Sequence, residues 1–185
     1  FGELRRGKHR LHGIIVTRRD GIELVIVTAR AASGQREHIL AEVFDGVVDR
    51  EIELAFGLTE PLGGSDVAGG TRTTAERNGD GWVLNGAKRW IGNATFSDWV
   101  VIYARDVADN QVKGFLVDTR TEGYSAAKIE NKISLRTVQN ADITLENVVV
   151  PESLRLQRVN SFRETAAVLR LTRAEVAWAA VGNSI

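Results

Sequence analysis

The order of apolar and polar positions divides the chain into three stretches of different character. Near the start, Ile14–Thr17 and Ile22–Thr28 are β-rich runs separated by Asp20-Gly21, the pattern of a hairpin. Gln35–Phe44 then places Ile39, Leu40, Val43 and Phe44 on one face of a short helix. From Phe56 to Pro151 the pattern is strand and turn. Trp82–Leu84 and Ala87–Ile91 flank Asn85-Gly86, a dipeptide suited to a tight hairpin turn. Asp98–Ala104 is almost continuously apolar, as a buried strand requires, and Lys113–Asp118 and Ile143–Val150 continue the series. Strands at this spacing predict a small barrel or sandwich. Beyond Val159 the period lengthens: Ser161 and Glu164 form a capping box, and Ala166, Leu169, Val176 and Ala177 follow at helical intervals. A β-domain opening into a helix that soon stops is the expected form of an incomplete chain.

Composition narrows the chemistry. The chain has 185 residues, 43% apolar and 26% charged, enough for one core without metals or disulfides. It has no cysteine, which excludes thiolate metal sites and cysteine nucleophiles. No apolar run approaches the roughly 20 residues of a membrane helix, so the expectation is a soluble protein without a membrane partner, placed in the cytoplasm or, in a eukaryote, in an organellar matrix or peroxisome. Residues 1–38 carry eight basic against four acidic residues and all three histidines, and the remainder is acidic by the same margin. This basic end would suit an acidic partner. It has no aromatic residue between Phe1 and Phe44, which argues against nucleic acid. His9, His12 and His38, even with Glu3 or Glu37, match no zinc spacing, and no G-x-S-x-G elbow accompanies Ser65.

One stretch remains, TEPLGGSDVAGGTR, Thr59 to Arg72. Gly64 and Gly69 have the spacing of a phosphate loop, but Gly70 stands where such a loop has its lysine. On spacing alone it is either an anion-holding loop, to which Ser65 adds a hydroxyl, or a glycine-rich turn between strands.

Three segments together carry a resemblance. FGLTEPLGGSDVAGG, GWVLNGAKRWIGN and NKISLRTVQNADITLENVVVPE, in that order, resemble the acyl-CoA dehydrogenase and acyl-CoA oxidase superfamily, in its glutaryl-CoA dehydrogenase-like and short-chain oxidase-like branch. The likeness runs from about Gln35 and is strongest from Phe56 to Asn160. It implies a mainly β fold with flanking helices, in which a middle β-domain lies between two incomplete helical domains. The implied boundaries are an unassigned basic segment with a hairpin at 1–34, a helical remnant at 35–55, the β-domain at 56–158 and the start of a second helical domain at 159–185.

The resemblance also implies the cofactor and its site. FAD would be lined by Phe56, Leu58 and Thr59, reached by Gly64 and Ser65, and covered by the indole of Trp90 with Ile91 and Gly92 beside it. Ser65 and Arg173 match positions that touch the acyl-CoA substrate. Where the family often has a threonine donor toward the flavin, this chain has Gly92. The implied reaction is α,β-dehydrogenation of a short-chain acyl thioester, with an electron-transfer flavoprotein or dioxygen as acceptor and a homo-oligomeric full-length protein. The family's catalytic glutamate would lie beyond Ile185, so no catalytic residue is expected within the chain and the isolated chain is expected to be inactive. Glu60 is expected to serve local structure. The alternative is a non-catalytic interaction module that no longer binds flavin.

Overall fold

The computed structural model describes residues 14–19, 22–27, 46 and 52–184. The expected helix at Gln35–Phe44, the Asp20-Gly21 turn, Glu3, Glu37 and the three histidines lie outside them. Strands β1 (Ile14–Arg19) and β2 (Ile22–Val27) pair antiparallel, from Ile14 opposite Val27 to Arg19 opposite Ile22.

The expected mainly β architecture is a seven-stranded half-barrel sheet. Its strands are β3 (Leu54–Gly57), β4 (Thr74–Asn78), β5 (Gly81–Gly92), β6 (Trp99–Asp106), β7 (Val112–Asp118), β8 (Tyr124–Lys128) and β9 (Asn140–Pro151). A single-turn helix, α1 (Val67–Gly70), lies between β3 and β4, and α2 (Phe162–Gly182) follows the sheet. β6 is the hub. Along one edge it pairs antiparallel with β7, and it also pairs parallel with β3 through Trp99–Ile102 and with β4 through Arg105 and Asp106.

β6 is apolar from Trp99 to Ala104 because both its faces are buried there. Val100, Ile102 and Ala104 enter one cluster with Leu84, Phe115 and Ile143. Val101 and Tyr103 enter a second with Leu54, Leu58 and Leu116, against which Phe162 and Leu169 of α2 pack. Alternating side chains therefore serve two cores, leaving no polar face to read. The capping box of α2 is present: the Ser161 backbone N–H donates to Glu164 Oε2 at 2.9 Å, and the Arg163 N–H donates to Ser161 Oγ at 3.3 Å.

The expected hairpin at Asn85-Gly86 does not form. β5 is one 12-residue strand paired with β9 along its length, and Asn85-Gly86 is an irregularity within it. Asn85 is held across the sheet, accepting from the Asn147 N–H at 2.8 Å and donating to Asn147 Oδ1 at 3.2 Å. Gly86, at φ +147°, lies so close to Thr73 that a side chain would not fit. The tight turn is instead at Asn78–Gly81, where Gly79 supplies a positive φ of +56°.

Candidate functional site

The site begins where β5 changes the side on which its residues point. Trp82, Leu84 and Lys88 face inward at even positions, but Ile91, not Trp90, is the next buried residue. The pairing with β9 shifts between Lys88 and Ile91, and Trp90 takes φ +63°. A non-glycine residue in the left-handed region costs about 1–2 kcal/mol, and such strain concentrates at functional positions. The shift drives Ile91 into the core and leaves the Trp90 indole 50% exposed. Arg89 lies 5.3 Å from the ring centroid, and Asn140 Nδ2 donates to the Trp90 carbonyl at 3.1 Å.

The glycine loop docks beside this bulge. The Arg89 N–H donates to the Thr59 carbonyl at 2.8 Å, joining the loop to β5 one residue before Trp90. Beneath that contact lies a buried ion pair. Lys88, wholly inaccessible, donates to Glu60 Oε1 at 2.8 Å, the Tyr103 carbonyl at 2.5 Å and the Leu58 carbonyl at 3.3 Å. Glu60 also accepts from the Arg72 N–H at 2.7 Å and the Thr73 N–H at 3.0 Å. Burial pushes the Lys88 ammonium down to about 8, against the opposing pull of Glu60. Burial alone would raise the Glu60 carboxyl, but the Lys88 charge and the hydrogen bonds from Lys88, Thr73 and Arg72 hold it below the usual carboxylate range.

The two halves of the glycine run differ in what their backbone is doing. In the second half the amides are committed internally. Gly69 N–H donates to Asp66 Oδ1 at 2.9 Å, Gly70 N–H to the Asp66 carbonyl at 2.8 Å, and Arg72 and Thr73 to Glu60. The Arg105 guanidinium occupies the carbonyls of Ala68, Gly69 and Thr71 at 2.7, 3.3 and 3.0 Å. No phosphate nest survives there. In the first half, Gly64 and Ser65 are exposed and have no partner among the described residues, and a Cβ added to Gly64 would meet nothing within 4 Å. Leu58, Thr59, Gly63, Gly64, Val67 and Thr71 line a shallow depression there.

The expected site residues thus fall into groups. Thr59, Gly64, Ser65 and Trp90 are exposed, and the Arg89–Thr59 hydrogen bond ties the loop to the residue before Trp90. Ile91 and Leu58 are buried in the first and second cores, so only their backbone serves the site. Phe56 is half-buried, its ring 5.1 Å from that of Tyr103. At Gly92 packing does not demand glycine, since a Cβ would meet only Val138 at 3.8 Å. Arg173 is exposed on α2, and no described hydrogen bond or ion pair joins it to the loop or to Trp90. Among the described residues there is no cluster of three or more His, Asp or Glu that would hold a metal.

This geometry has known relatives. The family model described as acyl-CoA dehydrogenase, middle domain, matches residues 55–148, which holds every strand of the sheet but the first residue of β3 and the end of β9. The chain belongs to the acyl-CoA dehydrogenase family. Across 154 residues it is 39% identical to the caffeyl-CoA reductase–Etf complex subunit CarC of Acetobacterium woodii, covering 81% of this chain and 40% of that protein. It is 37% identical to the mitochondrial short-chain specific acyl-CoA dehydrogenase of Rattus norvegicus over 69% of this chain and 32% of the relative. Among solved structures, glutaryl-CoA dehydrogenase from Mycobacterium smegmatis in complex with FADH2 superposes with a TM-score of 0.65 at 37% identity, over 69% of this chain and 32% of the other. The chain therefore spans well under half the length of these relatives.

Lys88 is the site residue that sequence reasoning missed. Its signal was present: a lysine two residues before Trp90, in a run whose inward positions are otherwise apolar or glycine. A charge at an inward position needs a buried partner, and Glu60 in the preceding motif is the available acid. Glu60 itself takes the structural part expected of it.

Proposed function

We propose that this chain is the flavin-holding part of an enzyme acting on the Cα–Cβ bond of a short acyl-CoA thioester. The observation that carries this reading is the strained, half-exposed Trp90 on a strand tied through Arg89 to Thr59, at the start of a loop whose Gly64 and Ser65 are exposed and unpartnered among the described residues. FAD fits the residues present. The indole offers a flat apolar surface for an aromatic ring system, Thr59 and Ser65 offer hydroxyls, and Gly64 leaves its backbone open to close approach. Bound there, FAD supplies the two-electron acceptor for oxidising the thioester, or the donor in the reverse sense.

The chain's own residues orient and shield. Trp90 covers one side of the site, the Thr59–Ser65 edge binds polar groups, and the two buried clusters behind it exclude water. Arg173, on α2, is assigned to the acyl-CoA side. Glu60 does not act as the base, because its carboxylate is buried and fully engaged. The carboxylate near Trp90, Asp142, is held as the ion-pair partner of Arg89 at 3.6 Å, and the isolated chain turns over little or no acyl-CoA. The Etf-complex relative favours an electron-transfer flavoprotein over dioxygen as acceptor.

Titration of the purified chain with FAD, followed by flavin fluorescence, tests the reading. Saturable quenching that Trp90→Ala weakens supports it. A colourless chain that leaves flavin fluorescence untouched favours the interaction module instead.

A further inference from the structure

We propose that the buried Glu60–Lys88 pair is a positioning device that sets the Thr59–Ser65 edge at its distance from Trp90. The proposal deepens the flavin reading above and rests on it for its consequence in binding. The pair is built as a junction. The three ammonium protons of Lys88 go to three different segments: the Leu58 carbonyl before the loop, Glu60 within it, and the Tyr103 carbonyl on β6. The two Glu60 oxygens extend the junction to Arg72 and Thr73, where the chain leaves α1. Every proton and both oxygens are used, as a buried charge pair requires.

Its position in the chain gives the junction its effect. Glu60 adjoins the exposed Thr59, Lys88 precedes Trp90 by two residues, and the Arg89 N–H to Thr59 carbonyl bond lies directly between. Packing alone does not hold the loop at this height. A side chain at Gly64 would meet nothing within 4 Å, the neighbours of Gly63 are Glu60 and Gly70 of the loop itself, and Pro61, Leu62 and Ser65 are exposed. A buried ion pair adds little net stability over apolar replacements, so geometry is the gain here. The pair makes no contact with a ligand and acts through Thr59 and Trp90, which makes both its members positioning residues.

The test compares Lys88→Met and Glu60→Gln with Lys113→Met, which breaks the Lys113 contacts with Asp106 and Asp109 at the far end of β6. Hydrogen exchange of the Arg72, Thr73 and Arg89 amides is read beside that of β7 amides, with circular dichroism confirming the fold and flavin fluorescence giving FAD affinity. Expected in Lys88→Met are loop amides exchanging at least tenfold faster than in Lys113→Met, unchanged β7 amides, and FAD affinity at least tenfold weaker. If Lys88→Met does not fold, Glu60→Gln, which keeps an acceptor for Arg72 and Thr73, is read in the same way. Loop amides as slow as in the unaltered chain overturn the proposal, and so does unchanged FAD affinity in a folded variant. If the unaltered chain itself fails to bind FAD while the loop amides accelerate as stated, the flavin reading falls and the positioning of the loop stands.

Discussion

Two glycines within the recognised motifs should respond to the same substitution in opposite ways. At Gly86, a Cβ would sit 2.7 Å from both Cα and Oγ1 of Thr73 and 2.9 Å from its Cβ. Ordinary carbon contacts are about 3.5–4.0 Å, so β5 or the Thr73 segment would have to move by about 1 Å. Strain from the φ of +147° adds about 1–3 kcal/mol, and overpacking a further 1–3. Gly86→Ala should therefore cost about 3–4 kcal/mol. At a urea dependence of about 2 kcal/mol/M, the unfolding midpoint would fall by about 1.5–2 M. Because Thr73 N–H donates to Glu60, FAD affinity should fall as well. At Gly64 nothing lies within 4 Å and φ is not positive. Gly64→Ala should leave the urea midpoint within error, a change under about 0.5 kcal/mol, yet weaken FAD at least tenfold. A Gly86→Ala loss below about 1 kcal/mol would refute the packing argument. Unchanged FAD affinity in Gly64→Ala would refute the claim that the open face of Gly64 meets a ligand.

Other substitutions separate binding from folding. Trp90→Ala should reduce FAD affinity more than tenfold while lowering stability by only about 1–2 kcal/mol, since the ring is half exposed; calorimetry and flavin fluorescence measure the two. The folded Glu60 carboxyl titrates below its ordinary 4.5, so its contribution is present above pH 4.5 and lost as pH falls through the lower folded value. The acid limb of a urea-midpoint profile should accordingly flatten in Glu60→Gln. Burial raises Tyr124 from 10 to about 12, so stability is present below pH 10 and lost as pH rises toward 12, a loss that Tyr124→Phe should reduce. Ser161→Ala removes the capping box of α2 and should cost about 1 kcal/mol, read as a lower thermal midpoint.

The sequence made some of these features legible and hid others for physical reasons. β6 was visible because the part of it buried on both faces, Val100–Ala104, is an unbroken apolar run. The cap of α2 was visible because its chemistry is local, spanning Ser161 to Glu164. Asn85-Gly86 misled because a positive φ at glycine serves a bulge as well as a turn; only the pairing of β5 with β9, some sixty residues away, decides between them. The exposure of Trp90 follows from a shift of one position in a strand, which alternation alone does not reveal. The motif placed Thr59, Gly64 and Ser65 in one loop through their nearness in the chain. Lys88 joined them only through side-chain contacts that reach 28 to 30 residues back.

The parallel pairing of β3 with β6 also sets an order of events during synthesis. The Glu53 N–H finds its acceptor on Asp98, 45 positions later, and β3 lies beside the same stretch of β6. At about 5–20 residues per second, a ribosome needs about 2–9 s to supply that partner after β3 has been made. Through that interval the hydrogen-bonding edge of Leu54–Gly57 has no strand to close it, and an open edge invites pairing with another chain. Until Trp99 emerges that edge stays open, and translation pauses upstream of β6 would lengthen the exposure.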